Sequence, residues 1–469
     1  MIDFANIQKY RENNRIEAKR SLGGLPKSLW ETYSAFANTL GGILLLGVEE
    51  HKDKSLHLVN LPDPEALVQE FFSMLSNPKK VNVNILSEQD VSIEEIDGNR
   101  IIVIDIPRAQ RYSRPVYVDG DPFTGTYRRS GEGDYRCTRE EVLAMMRDAA
   151  VQTQDMAVLN DSSLADLDYD TVHRYRMRMK ERRPGQAWET LDDTAFLYQL
   201  GAAGKSTDDL LHPTAAGLLM FGRETAIIRQ YPHYMLDYQE QSGDAGQLEE
   251  HITSSSADWS GNLYDFYFRV YEKLTQAIPD TTDQASIRSA LCEALANCLI
   301  HADYQGSRGI VILKKNDAVV FSNPGTFRID VREAKNGGIS DPRSAALLRM
   351  FSLIGAGHGT GRGMPHIYDA WEQRGWDDPV VQELFAPDRT TLTLTFGEAR
   401  TYKTMKTAMT HKEAIVDYLT DHVTGSNADF RRISGLSAAR VIMILKELLQ
   451  EEIIVAEGTR RNRVYKLKS

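Results

Sequence analysis

Cysteine is scarce in this chain, with three in 469 residues, at Cys137, Cys292 and Cys298. An odd and scattered set of thiols argues against a disulfide framework and against a cysteine zinc site. Long apolar runs are missing too, because runs such as 43–48 are far shorter than the ~18 residues of a membrane-spanning helix. No basic segment followed by an apolar one opens the sequence, so no signal peptide is predicted. We therefore expect a soluble cytoplasmic protein with no membrane partner.

Positive charge is not in excess over the whole chain. Asp and Glu number 66 against 55 Lys and Arg, which gives a formal net charge of −11. That balance argues against a surface covered with nucleic-acid-binding charge. Residues 400–469 differ, with 13 Lys and Arg against 8 Asp and Glu, a net charge of +5. The overall negative charge therefore does not exclude a local basic region at this end of the chain.

The length and the 42% hydrophobic content allow about three folded domains. In the first of them, helical spacing predicts a helix over 28–40, ended by Gly41 and Gly42, with a buried strand over 43–48. Further strands are predicted at 81–86 and 101–106, and a hairpin at 114–129. Thr138 opens a helix by the capping-box pattern.

The most informative segment is RSALCEALANCLIHADY, residues 288–304. Glu293, Asn297 and His301 are spaced i, i+4 and i+8, which places them on one helical face. A carboxylate and an amide one turn apart at the edge of a core are costly unless they have partners. The alternative is a solvated polar stripe on an amphipathic helix.

Two further segments follow this helix. A strand leads into Ser322-Asn323-Pro324-Gly325, and glycines then recur at 355, 357, 359, 361 and 363. Glycines let backbone N–H groups approach phosphate oxygens, and a helix is predicted to begin just after them. The glycine-rich segment is therefore suited to phosphate oxygens.

This order resembles the GHKL, or Bergerat-fold, ATP-binding domains, in the divergent branch labelled RecG C-terminal-like. The resemblance covers roughly 212–397 and implies an α/β sandwich that binds ATP and Mg²⁺. It implies that Asn297 binds Mg²⁺, that Glu293 orients water, and that Asn323 and Gly325 lie near the base. The chain departs from typical members by having Asn323-Pro324-Gly325 where they carry Asp-x-Gly, which leaves nucleotide preference and hydrolysis open. The remaining ligand-side residues are His301, Asp303, Gly359, Thr360, Gly361, Arg362 and Gly363.

Five ordered blocks in the first 150 residues resemble the Schlafen/AlbA-like domain: 12–19, 35–42, 46–50, 114–117 and 127–131. Some members of that family bind nucleic acid, and others cleave RNA with three acids and a divalent metal. By that resemblance Glu12, Glu17 and Glu50 are the candidate acids, and Lys19, Arg114, Arg128 and Arg129 the candidate phosphate contacts. The alternatives are that Glu17 simply pairs with Lys19 and that the arginines lie on solvated hairpin faces.

The last ~60 residues resemble a bacterial winged helix-turn-helix domain. A helix is expected from Ser437, and the alternating segment 453–468 reads as a two-stranded wing. Arg440 would face the DNA groove, while Arg460, Arg461 and Arg463 would contact the phosphate backbone. The alternative is a module for dimerisation.

The prediction is therefore an α/β multidomain protein. Its first function hypothesis is an ATP-binding, DNA-binding transcriptional regulator, with a homo-oligomer as the default. The second is a metal-dependent nuclease for RNA or DNA gated by the ATP module, and the third is a nucleotide-sensing scaffold for protein partners. The predicted boundaries are 1–150 (Schlafen/AlbA-like), 151–211 (helical connector), 212–399 (GHKL-type), 400–410 (linker) and 411–469 (winged helix).

Overall fold

The computed structural model forms two compact units, residues 1–370 with 379–394, and residues 371–378 with 395–469. The predicted N-terminal, connector and ATP-binding regions thus lie almost wholly in the first unit, and the boundaries between them stay predictions. The structure describes residues 7, 10, 12–242, 247–276, 284–357, 361–385, 387–397, 412, 415–416, 419, 425–427, 430, 438–450, 453–457 and 464–467.

A four-stranded mixed sheet organises the first part of the chain. Its order is β1-β2-β6-β5, with β1 parallel to β2 and the other neighbours antiparallel. Two short hairpins, β3–β4 and β7–β8, accompany it. The elements are β1 Ile16–Lys19, α1 Ser28–Asn38, β2 Gly42–Leu46, β3 Val48–Glu50, β4 Leu56–Leu58, α2 Pro64–Leu75, β5 Val91–Ile96, β6 Asn99–Ile106, α3 Pro122–Gly125, β7 Tyr127–Ser130 and β8 Gly133–Arg136.

Both faces of this sheet are covered, which explains why β2 is apolar throughout. Leu44 and Leu46 face a core that contains Trp30 and Phe36 of α1. Leu45 belongs instead to a second cluster with Ile16. The predicted helix at 28–40 and strand at 43–48 therefore correspond to real elements, although Gly47 separates β2 from β3.

Two of the local predictions were wrong. Residues 81–86 form no strand, because side chains satisfy this backbone: the Tyr33 hydroxyl donates to Val83 O and accepts from Ile85 N. The hairpin lies at 127–136 rather than 114–129. Asp121 accepts from Phe123 N and starts the short helix α3 within the predicted hairpin.

A mainly helical stretch follows the N-terminal sheet. Its first helix begins with the predicted capping box, in which Thr138 and Glu141 bond each other reciprocally. Two short strands pair antiparallel between the later helices. The elements are α4 Arg139–Ala149, α5 Tyr169–Arg182, α6 Asp193–Leu200, β9 Ala203–Lys205, β10 Leu211–Pro213, α7 Ala215–Phe221 and α8 Glu224–Gln230.

A six-stranded sheet organises the remainder of the first unit, in the order β12-β11-β13-β14-β16-β15. The β11–β13 pair is parallel, whereas β11–β12, β13–β14 and β15–β16 are antiparallel. Helix α10 packs on β14 and on α9. The elements are β11 Leu236–Ser242, β12 Gln247–Thr253, α9 Leu263–Gln276, α10 Gln284–Ile300, β13 Ile310–Lys314, β14 Ala318–Pro324, α11 Val331–Asn336, α12 Ala345–Leu353, α13 Gly363–Glu372, β15 Val380–Phe385 and β16 Asp388–Thr395.

The second unit contains a small domain near the carboxyl end. Helix α14, Ala438–Gln450, packs beside a three-stranded antiparallel sheet of β17 Gly425–Ser426, β19 Val464–Leu467 and β18 Ile454–Glu457, in that order. Their shared core includes Phe430, Leu445 and Tyr465.

No helix among the described residues is both long and apolar enough to cross a membrane.

Candidate functional site

Helix α10 and the residue that directly follows it carry the three polar side chains that the spacing singled out. Leu291, Leu295 and Leu299 are fully buried in the core. Glu293, Asn297 and His301 lie along a different face and all line one cleft. Glu293 is only 4% exposed, so this face is not a solvated stripe.

The cleft lies against α10 and β14 and has an empty volume of about 1000 Å³, open solvent included. Its walls combine apolar side chains with polar and charged ones. It is lined by Glu293, Ala294, Asn297, Cys298, His301, Phe321, Asn323, Thr326, Phe327, Arg328, Ile329, Ala334, Ile339, Ser340, Asp341, Leu348, Gly361, Gly363, Met364, Val381, Thr390 and Leu392.

The end of the glycine-rich segment closes one side of the cleft. A β-carbon on Gly363 would lie 2.3 Å from Glu293 Oε1 and 2.9 Å from Asn297 Nδ2. One on Gly361, where φ is +69°, would lie 2.6 Å from Ile339 O. Helix α13 begins at Gly363, and the free N–H groups of a helix start favour anions. Gly359 and Thr360 lie outside the described residues, and Arg362 is exposed.

The segment that follows β14 forms the opposite wall. Asn323 is 6% exposed and lines the cleft. Its Nδ2 donates to Pro324 O at 3.2 Å. Gly325 has φ of +94°, and a β-carbon there would lie 2.5 Å from Arg343 Nη1. Only glycine is readily accommodated at this turn.

Two of the predicted ligand residues lie behind the wall rather than on it. Neither Gly325 nor Asp303 lines the cleft. Asp303 pairs with Arg147 at 3.1 Å, and its backbone N–H donates to Pro324 O. Both residues therefore support the wall, and the role of either in holding the ligand stays a prediction.

His301 cannot contribute positive charge at neutral pH. Burial of the imidazole, followed by the guanidinium groups of Arg343 and Arg328, lowers its pKa to about 4. The one cation on the described wall, Arg328, already donates to the carbonyls of Pro342 and Asp148. A bound phosphate would therefore depend on backbone N–H groups and on a metal ion.

The cleft residues suit Mg²⁺ carried in by phosphates. Mg²⁺ usually keeps several waters and takes one or two protein oxygens besides the phosphates. Asn297 offers one amide oxygen, and the backbone at Gly361 and Gly363 packs too closely on its neighbours to carry side chains. No group of three or more His, Cys, Asp or Glu residues in the described chain could hold a metal by itself.

The N-terminal acids lie near one another but have other partners. The pKa of Glu12 is raised mainly by burial, and Glu17 and Glu50 add to this. Glu17 pairs with Lys19 at 2.7 Å, as the alternative proposed, and with Arg129 at 2.7 Å. Glu50 pairs with Lys54 at 3.3 Å.

The candidate phosphate contacts of this region are not on its surface. Arg114, Arg128 and Arg129 are at most 5% exposed. They are therefore not placed to contact phosphate, and they do not lie on solvated hairpin faces. Arg128 pairs with Asp388, its Nη2 lying 2.9 Å from Oδ2. Lys19 is also largely covered. The predicted nucleic-acid role is corrected for the three buried arginines and stays a prediction for Lys19.

Several residues that matter to the cleft carried no local signal in the sequence. Arg328 and Asp341 line it, and Asp341 also bonds Arg111 of the N-terminal region. Arg343 pairs with Asp148 at 2.7 Å. The partners lie up to 230 residues apart in these pairs, so no short motif contains both.

The predicted nucleic-acid residues of the second unit are only partly described. Arg440 lies in α14. Arg460, Arg461 and Arg463, together with Ser437, fall outside the described residues.

Comparison with known families supports one of the sequence resemblances. The Schlafen AlbA_2 family matches residues 12–138. That range holds the four-stranded sheet and both hairpins. Residues 143–237 match a family described as a domain of unknown function, DUF8451. This match crosses the predicted boundaries at 150 and 211.

Similar solved structures are distant. The DIP2311 protein of Corynebacterium diphtheriae is 16% identical over 97% of this chain and 95% of its own, with a TM-score of 0.41. The N-terminal domain of an ATP-dependent DNA helicase RecG-related protein from Nitrosomonas europaea is 35% identical over 28% of this chain and 86% of its own, with a TM-score of 0.22. With TM-scores below 0.5, neither supports an inference about this chain. No curated protein matches it.

Proposed function

We propose that the cleft binds Mg·ATP and that the protein is a nucleotide-dependent, nucleic-acid-binding regulator. One observation carries the first part. Side chains from α10, the end of β14 and the start of α13, which are separate in the sequence, meet in a single cleft. These are the segments that the GHKL resemblance requires to come together.

Each residue has a defined role in this proposal. Asn297 would hold Mg²⁺ through its amide oxygen, and the metal would neutralise phosphate charge. Gly361 and Gly363 would let the backbone approach the phosphates. Asn323, with an amide that both donates and accepts, would face the base. Glu293 would orient a water molecule if the nucleotide is hydrolysed.

The nucleic-acid part of the proposal rests on the two ends of the chain. The Schlafen AlbA_2 match indicates a nucleic-acid-related function. A helix beside a small antiparallel sheet, with a net charge of +5 over residues 400–469, suits a winged helix. Because Arg114, Arg128 and Arg129 are buried, we assign DNA contact to the C-terminal unit.

Isothermal titration calorimetry of the full chain with Mg²⁺ and a non-hydrolysable ATP analogue tests the cleft. We expect saturable binding by the wild type and at least about tenfold weaker binding by Asn297→Ala, because the variant lacks the amide oxygen that would hold the metal. Asn316→Ala is the matched control, since Asn316 is exposed in the β13–β14 turn of the same sheet. Equal affinity in all three proteins would overturn the proposal.

An electrophoretic mobility shift on duplex DNA tests the second part. Leu445 is 1% exposed in the core of the C-terminal domain, whereas Ile442 on the same helix is 45% exposed. We expect Leu445→Ala to lose the shift, because a cavity in so small a core is costly, and Ile442→Ala to keep it. A wild type that shifts no DNA at low salt would argue for the protein-binding scaffold instead.

A further inference from the structure

One wall of the cleft is held by residues of the N-terminal region. Phe327 lines the cleft, and both of its backbone polar groups bond side chains. Its N–H donates to Glu383 Oε1 at 2.7 Å, and its carbonyl accepts from Arg108 Nη2 at 2.9 Å. Arg108 also forms two bonds to Glu383, of 2.6 and 3.1 Å. Three residues thus close a ring of hydrogen bonds.

This ring is nearly free of solvent. The Glu383 side chain is 4% exposed and that of Arg108 is 12% exposed. A bidentate guanidinium–carboxylate pair is both strong and directional. Removing one partner of such a pair leaves the other buried without its counter-charge.

A second contact holds the same wall two residues earlier. Gly325 N–H donates to Asp388 O at 3.1 Å, and Gly325 O accepts from Thr390 Oγ1 at 2.8 Å. The carboxylate of Asp388 in turn pairs with Arg128. Arg128 belongs to β7 in the N-terminal region, 260 residues away in the chain.

We propose that Arg108 and Arg128 are positioning residues of the cleft. Through Glu383 and Asp388, the Schlafen AlbA_2 region fixes the wall at 325–327 in the shape that accepts the ligand. This inference takes the identity of the ligand from the proposed function. The support of the wall by Arg108 and Arg128 does not depend on that identity. Because binding coupling is reciprocal, a ligand that orders this wall also strengthens the contact with the N-terminal region.

The test uses the full chain and the variants Arg108→Gln, Arg108→Lys, Glu383→Gln and Arg108→Gln/Glu383→Gln. Arg229→Gln is the control, because it removes an exposed arginine paired with Asp166 away from the cleft. Amide hydrogen exchange of the peptide containing Phe327, measured without any ligand, shows how firmly the wall is held. Calorimetry with Mg²⁺ and a non-hydrolysable ATP analogue reports the cleft, and thermal melting shows that each variant is folded.

We expect Arg108→Gln to speed exchange at Phe327 and to weaken nucleotide binding about tenfold. Arg108→Lys should be intermediate, because one ammonium cannot reproduce the guanidinium fork. The double variant should bind nucleotide only slightly more weakly than Arg108→Gln alone. Arg229→Gln should match the wild type in both exchange and nucleotide binding. Unchanged exchange at Phe327 in folded Arg108→Gln overturns the positioning role. A wild type that binds no nucleotide while Arg108→Gln still speeds exchange overturns the proposed ligand but not the positioning role.

Discussion

Gly363 lies against Glu293 with no room for a side chain between them. A β-carbon at this glycine would be 2.3 Å from Glu293 Oε1. The carboxylate is 4% exposed, so a β-carbon at residue 363 would push it and the Asn297 amide out of their places in the cleft wall. The start of α13 and the middle of α10 therefore meet this closely because residue 363 is a glycine.

We expect Gly363→Ala to displace α13 from α10 and to weaken nucleotide binding by more than about tenfold, as a misplaced ligand group does. Equilibrium binding of a fluorescent ATP analogue measures this. Gly23→Ala is the control, because a β-carbon on Gly23 meets nothing within 4 Å. Wild-type affinity in Gly363→Ala would mean that this glycine serves packing alone.

Arg129 is expected to stabilise the N-terminal region rather than to bind nucleic acid. It bonds Glu17 at 2.7 Å and Asp134 at 3.0 Å. Arg129→Ala should lower the free energy of unfolding by about 3–5 kcal/mol, because it leaves buried acids without their partner. Urea denaturation followed by tryptophan fluorescence checks this. Lys54→Ala, which removes a half-exposed lysine, should change little. A stable Arg129→Ala protein that has lost only nucleic-acid binding would contradict the assignment.

The N-terminal acids should not form a metal site as they stand. Lys19 and Arg129 pair with the two carboxylate oxygens of Glu17, whereas Lys54 pairs with Oε2 of Glu50 and the buried Oε1 of Glu50 has no hydrogen-bond partner among the described residues. A divalent ion would have to displace these cations, so we expect titration with Mn²⁺ in the absence of nucleotide to give no heat that depends on Glu17. Mn²⁺ binding abolished by Glu17→Gln, together with cleavage of labelled RNA, would restore the nuclease hypothesis.

His301 should make the stability of the chain depend on pH. Its folded-state pKa, about 4, lies below the ordinary value of 6.5. Between these values the unfolded chain binds a proton that the folded chain does not, so stability falls as the pH is lowered from about 6.5 to about 4. His301→Gln should lose this contribution, so the wild type should lose stability relative to the variant over that window. Urea denaturation at a series of pH values measures the difference, and parallel pH curves would contradict the burial of a neutral imidazole.

The cleft could be predicted from the sequence where its signal was local. Glu293 and Asn297 lie one turn apart in α10 and His301 directly follows its last residue, so periodicity alone places them together. Gly363 and Asn323 were found because short segments carry them in a recognisable order. The wall at 325–327 depends instead on pairs such as Arg128 with Asp388, which are 260 residues apart, and no spacing reveals such a pair.

The failures in the N-terminal region have a similar cause. The segment 81–86 has strand-like composition, but the Tyr33 hydroxyl and the Asn82 side chain take up backbone bonds that a ladder would use. The arginines were assigned to a surface because arginine is rarely buried without a partner. Their partners, Glu17, Asp134 and Asp388, became apparent only in the folded chain.

The central claim is that the cleft binds Mg·ATP, and ligand-dependent amide hydrogen exchange on the full chain tests it most directly. The account predicts that Mg²⁺ with a non-hydrolysable ATP analogue slows exchange in peptides covering 293–301, 323–328 and 361–372. Peptides covering 12–50 should show less protection or none. No protection in the three cleft segments at saturating nucleotide, or protection confined to other parts of the chain, would contradict the claim.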